Sequence, residues 1–336
     1  MKLASTTGDF RGYAKTTADA VRFYEGTGFR HLDYNFYNVI YPESPFLGDR
    51  WLDEVEEAGR EAERLGFDFI QAHSPNYNPF DPKADHEAGM LATIRSIEAC
   101  GRLGIPNIVV HPGMTTELTY PDGRDGYFSR NRDFYRSLFP AMEKWNVNVL
   151  IENSAEANMG TRYFFMTGQE MRDFADYVDH PLLHCNWDIG HANMRGTDQR
   201  EDILAMGGHL RGLHIQDNFG ACDEHIAPFM GTTDMDAVMQ GLIAAVPIPK
   251  CNDIRAVQPG GIIDIEQRRV IDQPQFQRTR SMMQPFGCLT KSVWRHAGVP
   301  RFRTEEIIDD TARHVRILGG DAQDLRQIIA AVVVAL

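Results

Sequence analysis

Five residues of metal-ligand type stand at or beside the ends of short apolar runs. His73 closes FDFIQAH, His111 follows NIVV, Glu152 closes NVLIE, Asp188 closes LLHCNWD and His214 lies in GLHIQD. Imidazole and carboxylate without thiolate is the donor chemistry of a divalent-metal site. Three more residues of the same type follow closely: His191 in WDIGH, and Asp223 and His225 in HIQDNFGACDEH. A single histidine near a strand end reads most simply as a hydrogen-bonded loop residue, and His31, His184 and His209 are read that way. Five ligand-type residues at one kind of topological position are not explained so simply.

The elements that must gather these residues alternate along the chain. Apolar runs predict strands at Lys2–Ser5, His31–Asn35, Phe67–His73, Asn107–His111, Asn148–Glu152, Leu182–Asp188 and Gly212–Asp217. Amphipathic stretches between them predict helices at Thr17–Thr27, Asp49–Leu65, His86–Leu103, Phe128–Trp145, Gln169–Val178, Arg200–Met206 and Met235–Ala245. Strand–helix alternation implies a parallel sheet. The expected fold class is α/β, a (β/α)8 TIM barrel with an atypical C-terminal extension. In such a barrel every C-terminal strand end opens on one face, so the five residues should converge there. The pattern fails after residue 245. We expect the barrel over residues 1–270, with an eighth strand at 261–266, and a partly helical extension of unassigned role over 271–336. Within that extension Thr304–Leu318 and Ala322–Leu336 read as helical.

At 336 residues, 43% hydrophobic and 24% charged, the chain is long enough to bury a full core. No run of about 18 apolar residues predicts a membrane span, and MKLASTTGDF has no apolar leader segment. Cys100, Cys185, Cys222, Cys251 and Cys288 are scattered and form no C-x-x-C pair, so they read as free thiols in a reducing cytoplasm. The net charge of −13 argues against a phosphate backbone as partner. Oligomeric state is left open, with a homo-oligomer as one outcome. Tyr34, Phe36, Tyr77 and Trp187 read equally as pocket-lining rings or as core.

The segments QAHSP, HPG, IEN, WDIGHA, LHIQDN and DEHIAPFMGTTDMDAV, taken in order, resemble the sugar phosphate isomerase/epimerase superfamily. Its xylose isomerase-like barrel is related to the endonuclease IV-type enzymes. The resemblance covers about residues 1–245. It implies a single divalent metal ion, Mn first with Mg, Co or Zn as alternatives, held by Glu152, Asp188, His214 and a carboxylate after strand eight. Glu266, which ends IIDIE, is the expected fourth ligand, with Asp253 and Asp264 as rivals. His191 is implied in substrate contact, and His73, His111, Asp223 and His225 join it on the substrate side. Such a site isomerises or epimerises a small sugar, keto-sugar or polyol. Glu152 and Glu266 would move the proton next to the carbonyl while the ion stabilises the enediolate. A hydrolytic alternative is also implied. The zinc phosphodiesterases that act on abasic DNA use a larger ligand set, which His73, His111, Glu152, Asp188, His191, His214, Asp223, His225 and Glu266 could match. A barrel that binds metal or sugar without catalysis is the third reading.

Overall fold

The computed structural model describes residues 2–155, 162–245 and 332–335. Seven parallel strands run in sequence order around a barrel: β1 (Lys2–Thr6), β2 (His31–Asn35), β3 (Asp68–His73), β4 (Asn107–Val110), β5 (Asn148–Glu152), β6 (Leu183–Asp188) and β7 (Leu210–Ile215). The helices between them are α1 (Thr17–Phe23), α2 (Trp51–Leu65), α3 (His86–Leu103), α4 (Arg124–Trp145), α5 (Gly168–Val178), α6 (Ile189–Arg195), α7 (Gln199–Met206) and α8 (Met235–Ala245). A short strand, β8 (Val332–Ala335), closes the ring between β7 and β1 and runs antiparallel to both. The barrel class expected from the alternation of elements is therefore the observed one.

One element differs from expectation. The residues of β8 fall in the stretch Ala322–Leu336 that reads as helical. A run of three valines favours the extended chain, because branching at Cβ restricts the side chain in a helix and packs well on a pleated surface. The segment 261–266, expected as strand eight, lies outside the described residues, as do Asp253, Asp264, Glu266 and Thr304–Leu318. The free-thiol reading also needs correction. Cys100 and Cys185 are free and buried, but Cys222 is disulfide-bonded. Among the described residues no helix is long and apolar enough to cross a membrane.

Local sequence sets the element ends. Thr16 and Asp19 form a reciprocal capping box at the start of α1. Asp85 and Thr167 cap α3 and α5 by accepting from Ala88 N–H and Glu170 N–H. The repeated R-L-G turns end α2 and α3 with Gly66 and Gly104 in the left-handed region, at φ 76° and 71°.

Strand alternation sorts side chains between two environments. The helix-facing side carries Ile108, Val110, Val149, Ile151, Cys185, Trp187 and Leu213, all buried in the main apolar cluster. Tyr127, Tyr135, Phe128, Phe165 and Phe174 from α4, α5 and the segment before α5 pack there with edge-on and tilted ring contacts. The inner side is polar toward the C-terminal strand ends, with Asp33, Gln71, Glu152, Asn186 and Asp188 buried. Polar groups so deeply buried need partners or a ligand.

Candidate metal centre

Glu152, the last residue of β5, is 3% exposed and anchors the centre. His111, just past β4, meets Oε2 at 2.7 Å. Asn186 of β6 donates to Oε1 at 2.9 Å, and His214 Nδ1 of β7 also contacts Oε1. His73, the last residue of β3, lies with its ring 4.8 Å from that of His111 and stacked 5.5 Å from that of His214. Asp188, 1% exposed, ends β6 and also caps α6: its Oδ1 accepts from His191 N–H at 2.9 Å and from Gln216 Nε2 at 3.2 Å. That cap starts a helix on the very next residue, which places His191 back over the barrel mouth.

A second cluster adjoins the first. His191 Nε2 lies 3.8 Å from Asp188 Oδ2 and 3.4 Å from Asp223 Oδ2, and His225 Nε2 lies 3.0 Å from the same Asp223 oxygen. The loop that carries Asp223 and His225 is folded around Asp217, fully buried, which accepts from Asn218, Gly231 and Thr233 N–H. His225 has φ 50°, a left-handed backbone that costs a non-glycine residue of order 1 kcal/mol and is held there by the loop.

All eight described residues singled out in the sequence therefore meet at one end of the barrel. Three groups of them could hold a cation, with donor atoms within 4.8 Å of one another: His73–Glu152–His214, Glu152–Asp188–His191 and His191–Asp223–His225. Two further observations fit a divalent ion. His73 and His191 each place Nδ1 against a backbone carbonyl, of Ser74 at 2.9 Å and of Asn153 at 2.8 Å, which fixes that nitrogen as the donor and turns Nε2 to the centre. The charges are also compensated by protons where a cation would serve. Burial alone would raise the Glu152 carboxyl, but His214 and His111 hold it well below its ordinary range. Burial opposes charge on His214, yet Glu152 and then Asp188 lift it to about 9. His191 is likewise raised against burial by Asp188 and Asp223. His73 is driven the other way, to about 3, by burial and the neighbouring His111.

Residues not flagged in the sequence complete the site. Asn153 accepts from Asp188 N–H at 2.6 Å and donates to the Asp188 carbonyl at 3.0 Å, locking β5 to β6. Gln216 ties Asp188 to Asp223, donating to the latter at 2.8 Å. Tyr37 presents its ring to His73 and His111 at 5.4 and 6.3 Å. Tyr34, Phe36, Tyr77 and Trp187 are buried in the apolar core instead. Amides carry no ligand signature in a sequence, and only the position of Asn153 beside Glu152 hinted at its role.

Gly190 explains the G of WDIGH. A Cβ there would sit 2.1 Å from the Gln216 side-chain amide. Gly190→Ala is expected to displace Gln216, lower stability by about 1–3 kcal/mol and loosen the tie between the two clusters. Thermal denaturation with and without Mn(II) checks both effects: a smaller stabilisation by the ion accompanies the lower melting temperature.

Curated relatives that match part of the chain include two uncharacterized proteins. One from Sinorhizobium fredii is 27% identical over 47% of this chain and 50% of its own length. One from Mycobacterium leprae is 31% identical over 45% of this chain and 56% of its own. The chain thus spans about half the length of the curated relatives it matches. Among solved structures, a D-tagatose 3-epimerase-like protein aligns at TM-score 0.57 and 17% identity, covering 73% of this chain and 86% of that one. The 3-keto-D-glucoside 4-epimerase of E. coli aligns at 0.55 and 19%, covering 72% and 87%. A family 2 AP endonuclease from Brucella melitensis aligns at 0.52 and 17%, covering 72% and 88%. At these identities the likeness is one of fold. Residues 29–246, most of the seven-stranded barrel and its ligand-type residues, match the family directly, and the chain belongs to the xylose isomerase-like TIM-barrel family.

Proposed function

We propose that the protein is a divalent-metal-dependent isomerase or epimerase of a small sugar, keto-sugar or polyol. The observation that carries this reading is the buried Glu152 carboxylate, held by His111, His214 and Asn186 beside Asp188 at the barrel mouth. The sugar epimerases among the structural neighbours support it. Glu152, Asp188 and His214 would hold the ion, with Mn the first expectation. When bound, the ion supplies Lewis-acid stabilisation of oxygen charge as it develops on the substrate. Glu152 takes the proton from the carbon next to the carbonyl. Its neighbours keep it ionised and aimed, which is what a proton acceptor needs. His73, His111, His191, Asp223 and His225 ring the remaining space and offer imidazole nitrogens and a carboxylate to sugar hydroxyls. Glu266, expected as fourth ligand and second acid/base, lies outside the described residues.

Metal analysis of the purified protein, followed by a panel of ketoses assayed with Mn(II), tests the proposal. One ion per chain and interconversion of at least one ketose are expected. No metal, or no conversion of any ketose, would remove it.

A second reading is favoured by one observation, the additional ligand group His191–Asp223–His225. Three zinc ions per chain and cleavage of an abasic-site DNA strand would replace the epimerase with a phosphodiesterase. The net charge of −13 favours the first reading.

A further inference from the structure

The barrel interior holds a third carboxylate to which the resemblance gives no role. Asp33, in the middle of β2, is 1% exposed, as buried as Asp188 and Glu152. It pairs with Thr6 on β1 and Gln71 on β3, and its Oδ1 accepts from the Thr6 hydroxyl at 3.0 Å. Its Oδ2 has no partner, and among the described residues no other buried carboxylate oxygen is in that position. The oxygen and nitrogen of the neighbouring Gln71 side chain are also buried without partners. Leaving such groups unmade costs about 1–3 kcal/mol each, so the arrangement points to a ligand that fills it.

Asp33 is close enough to the centre to feel the charges of His214 and Glu152. It belongs to none of the three cation-holding groups, so it stands back from the ion. Its strand lies three places from β5 around an eight-membered ring, so Asp33 and Glu152 look into the interior from different sides. The strand between β7 and β1 reads VVVA and brings no acid of its own.

We propose that Asp33 is the second proton-transfer carboxylate of the site, serving the substrate face opposite Glu152. The proposal rests on the epimerase reading above. Glu152 accepts the proton from the carbon beside the carbonyl; the C–H pair becomes the new C–C π bond and the carbonyl π pair moves onto oxygen. The Asp33 carboxylic acid then gives its proton to the other face of that carbon, and the carbonyl re-forms. The substrate leaves inverted, Glu152 has gained one proton and Asp33 has lost one, and exchange with water restores both. Burial lifts the Asp33 carboxyl to about 6, with His214 and Thr6 pulling it down and Glu152 adding to the rise, which keeps the acid form populated near neutrality.

The test separates the two faces. The full chain, loaded with Mn(II), is incubated in D2O with the ketose panel, and both epimer formation and deuterium in recovered substrate are followed by NMR. Asp33→Asn is expected to cut epimer formation by about 100-fold or more, while recovered substrate still gains deuterium through Glu152 and metal content is unchanged. Asp33→Glu should restore part of the epimerisation, and Glu152→Gln should lose both signals. The assignment is overturned if Asp33→Asn epimerises like the wild type, or if it loses metal or exchange together with epimerisation. It is also overturned if Glu266→Gln, rather than Asp33→Asn, separates exchange from epimerisation. Wild-type protein that shows neither signal on any ketose would sink the epimerase reading itself, and the role of Asp33 with it.

Discussion

Glu152→Gln is expected to abolish cation binding at the centre and all turnover that depends on it. The substitution keeps the shape of the side chain and removes its charge. Both carboxylate oxygens are in use, Oε2 with His111 at 2.7 Å and Oε1 with Asn186 at 2.9 Å and with His214. An amide presents one nitrogen and one oxygen, so one partner faces a donor where it needs an acceptor. His214, held at about 9 by the Glu152 charge, loses the main cause of that shift. Losing an outer-shell partner of a ligand alone costs about 10–100-fold in metal affinity, so losing the shared ligand should cost at least about 100-fold. Titration calorimetry with Mn(II) measures it directly. His209→Gln is the control: His209 pairs with Asp176 at 2.9 Å, away from the candidate ligands, and should bind the ion like the wild type. Equal affinity in Glu152→Gln would mean that the cation sits elsewhere.

The second large effect concerns the wall behind the site. Trp187 is fully buried on the helix-facing side of β6, one residue before Asp188, and its Nε1 reaches Gln199 at 3.4 Å. Gln199 in turn donates to the Ile189 carbonyl at 3.0 Å, at the start of α6. Trp187→Ala removes a large ring from a close-packed layer and leaves Gln199 short of a partner. A loss of about 3–5 kcal/mol is expected, read as a lower urea midpoint. Trp187→Phe refills most of the space and should cost clearly less. If Trp187→Ala unfolds at the wild-type midpoint, the helix-facing layer is not what supports Asp188.

The barrel was legible because its strands end abruptly in polar residues. β2 and β5 run over the residues expected from their apolar runs, and α2, α3 and α5 lie within two residues of expectation at each end. The α6 helix escaped notice because it is only seven residues long and because Asp188 carries two duties, interior ligand type and helix cap. Antiparallel β8 was hidden inside an alanine-rich stretch whose overall pattern reads as helical, while the local Val-Val-Val run decides its conformation. In the site, strand-end position picked out His73, His111, Glu152, Asp188 and His214. Asp33 and Gln71 were missed for the same physical reason. Alternating polar residues on a strand ordinarily mark the solvent side, and in a closed barrel that side can be the interior. The same parity sorted the rings: Tyr34 and Trp187 face the helices, whereas Tyr37, just beyond β2, turns to His73 and His111.

The antiparallel pairing of β8 with both β1 and β7 has a consequence for how the molecule assembles. Residues near opposite ends of the sequence must find each other before the ring is complete, as in the pairs Lys2–Ala335 and Ser5–Val332. The entropy lost in joining ends so far apart grows only logarithmically with the intervening length, but the search is slow. Without that pairing the seven-stranded sheet would carry two raw edges, and such edges template association between molecules. The docking of four residues is thus what leaves the sheet without a free edge.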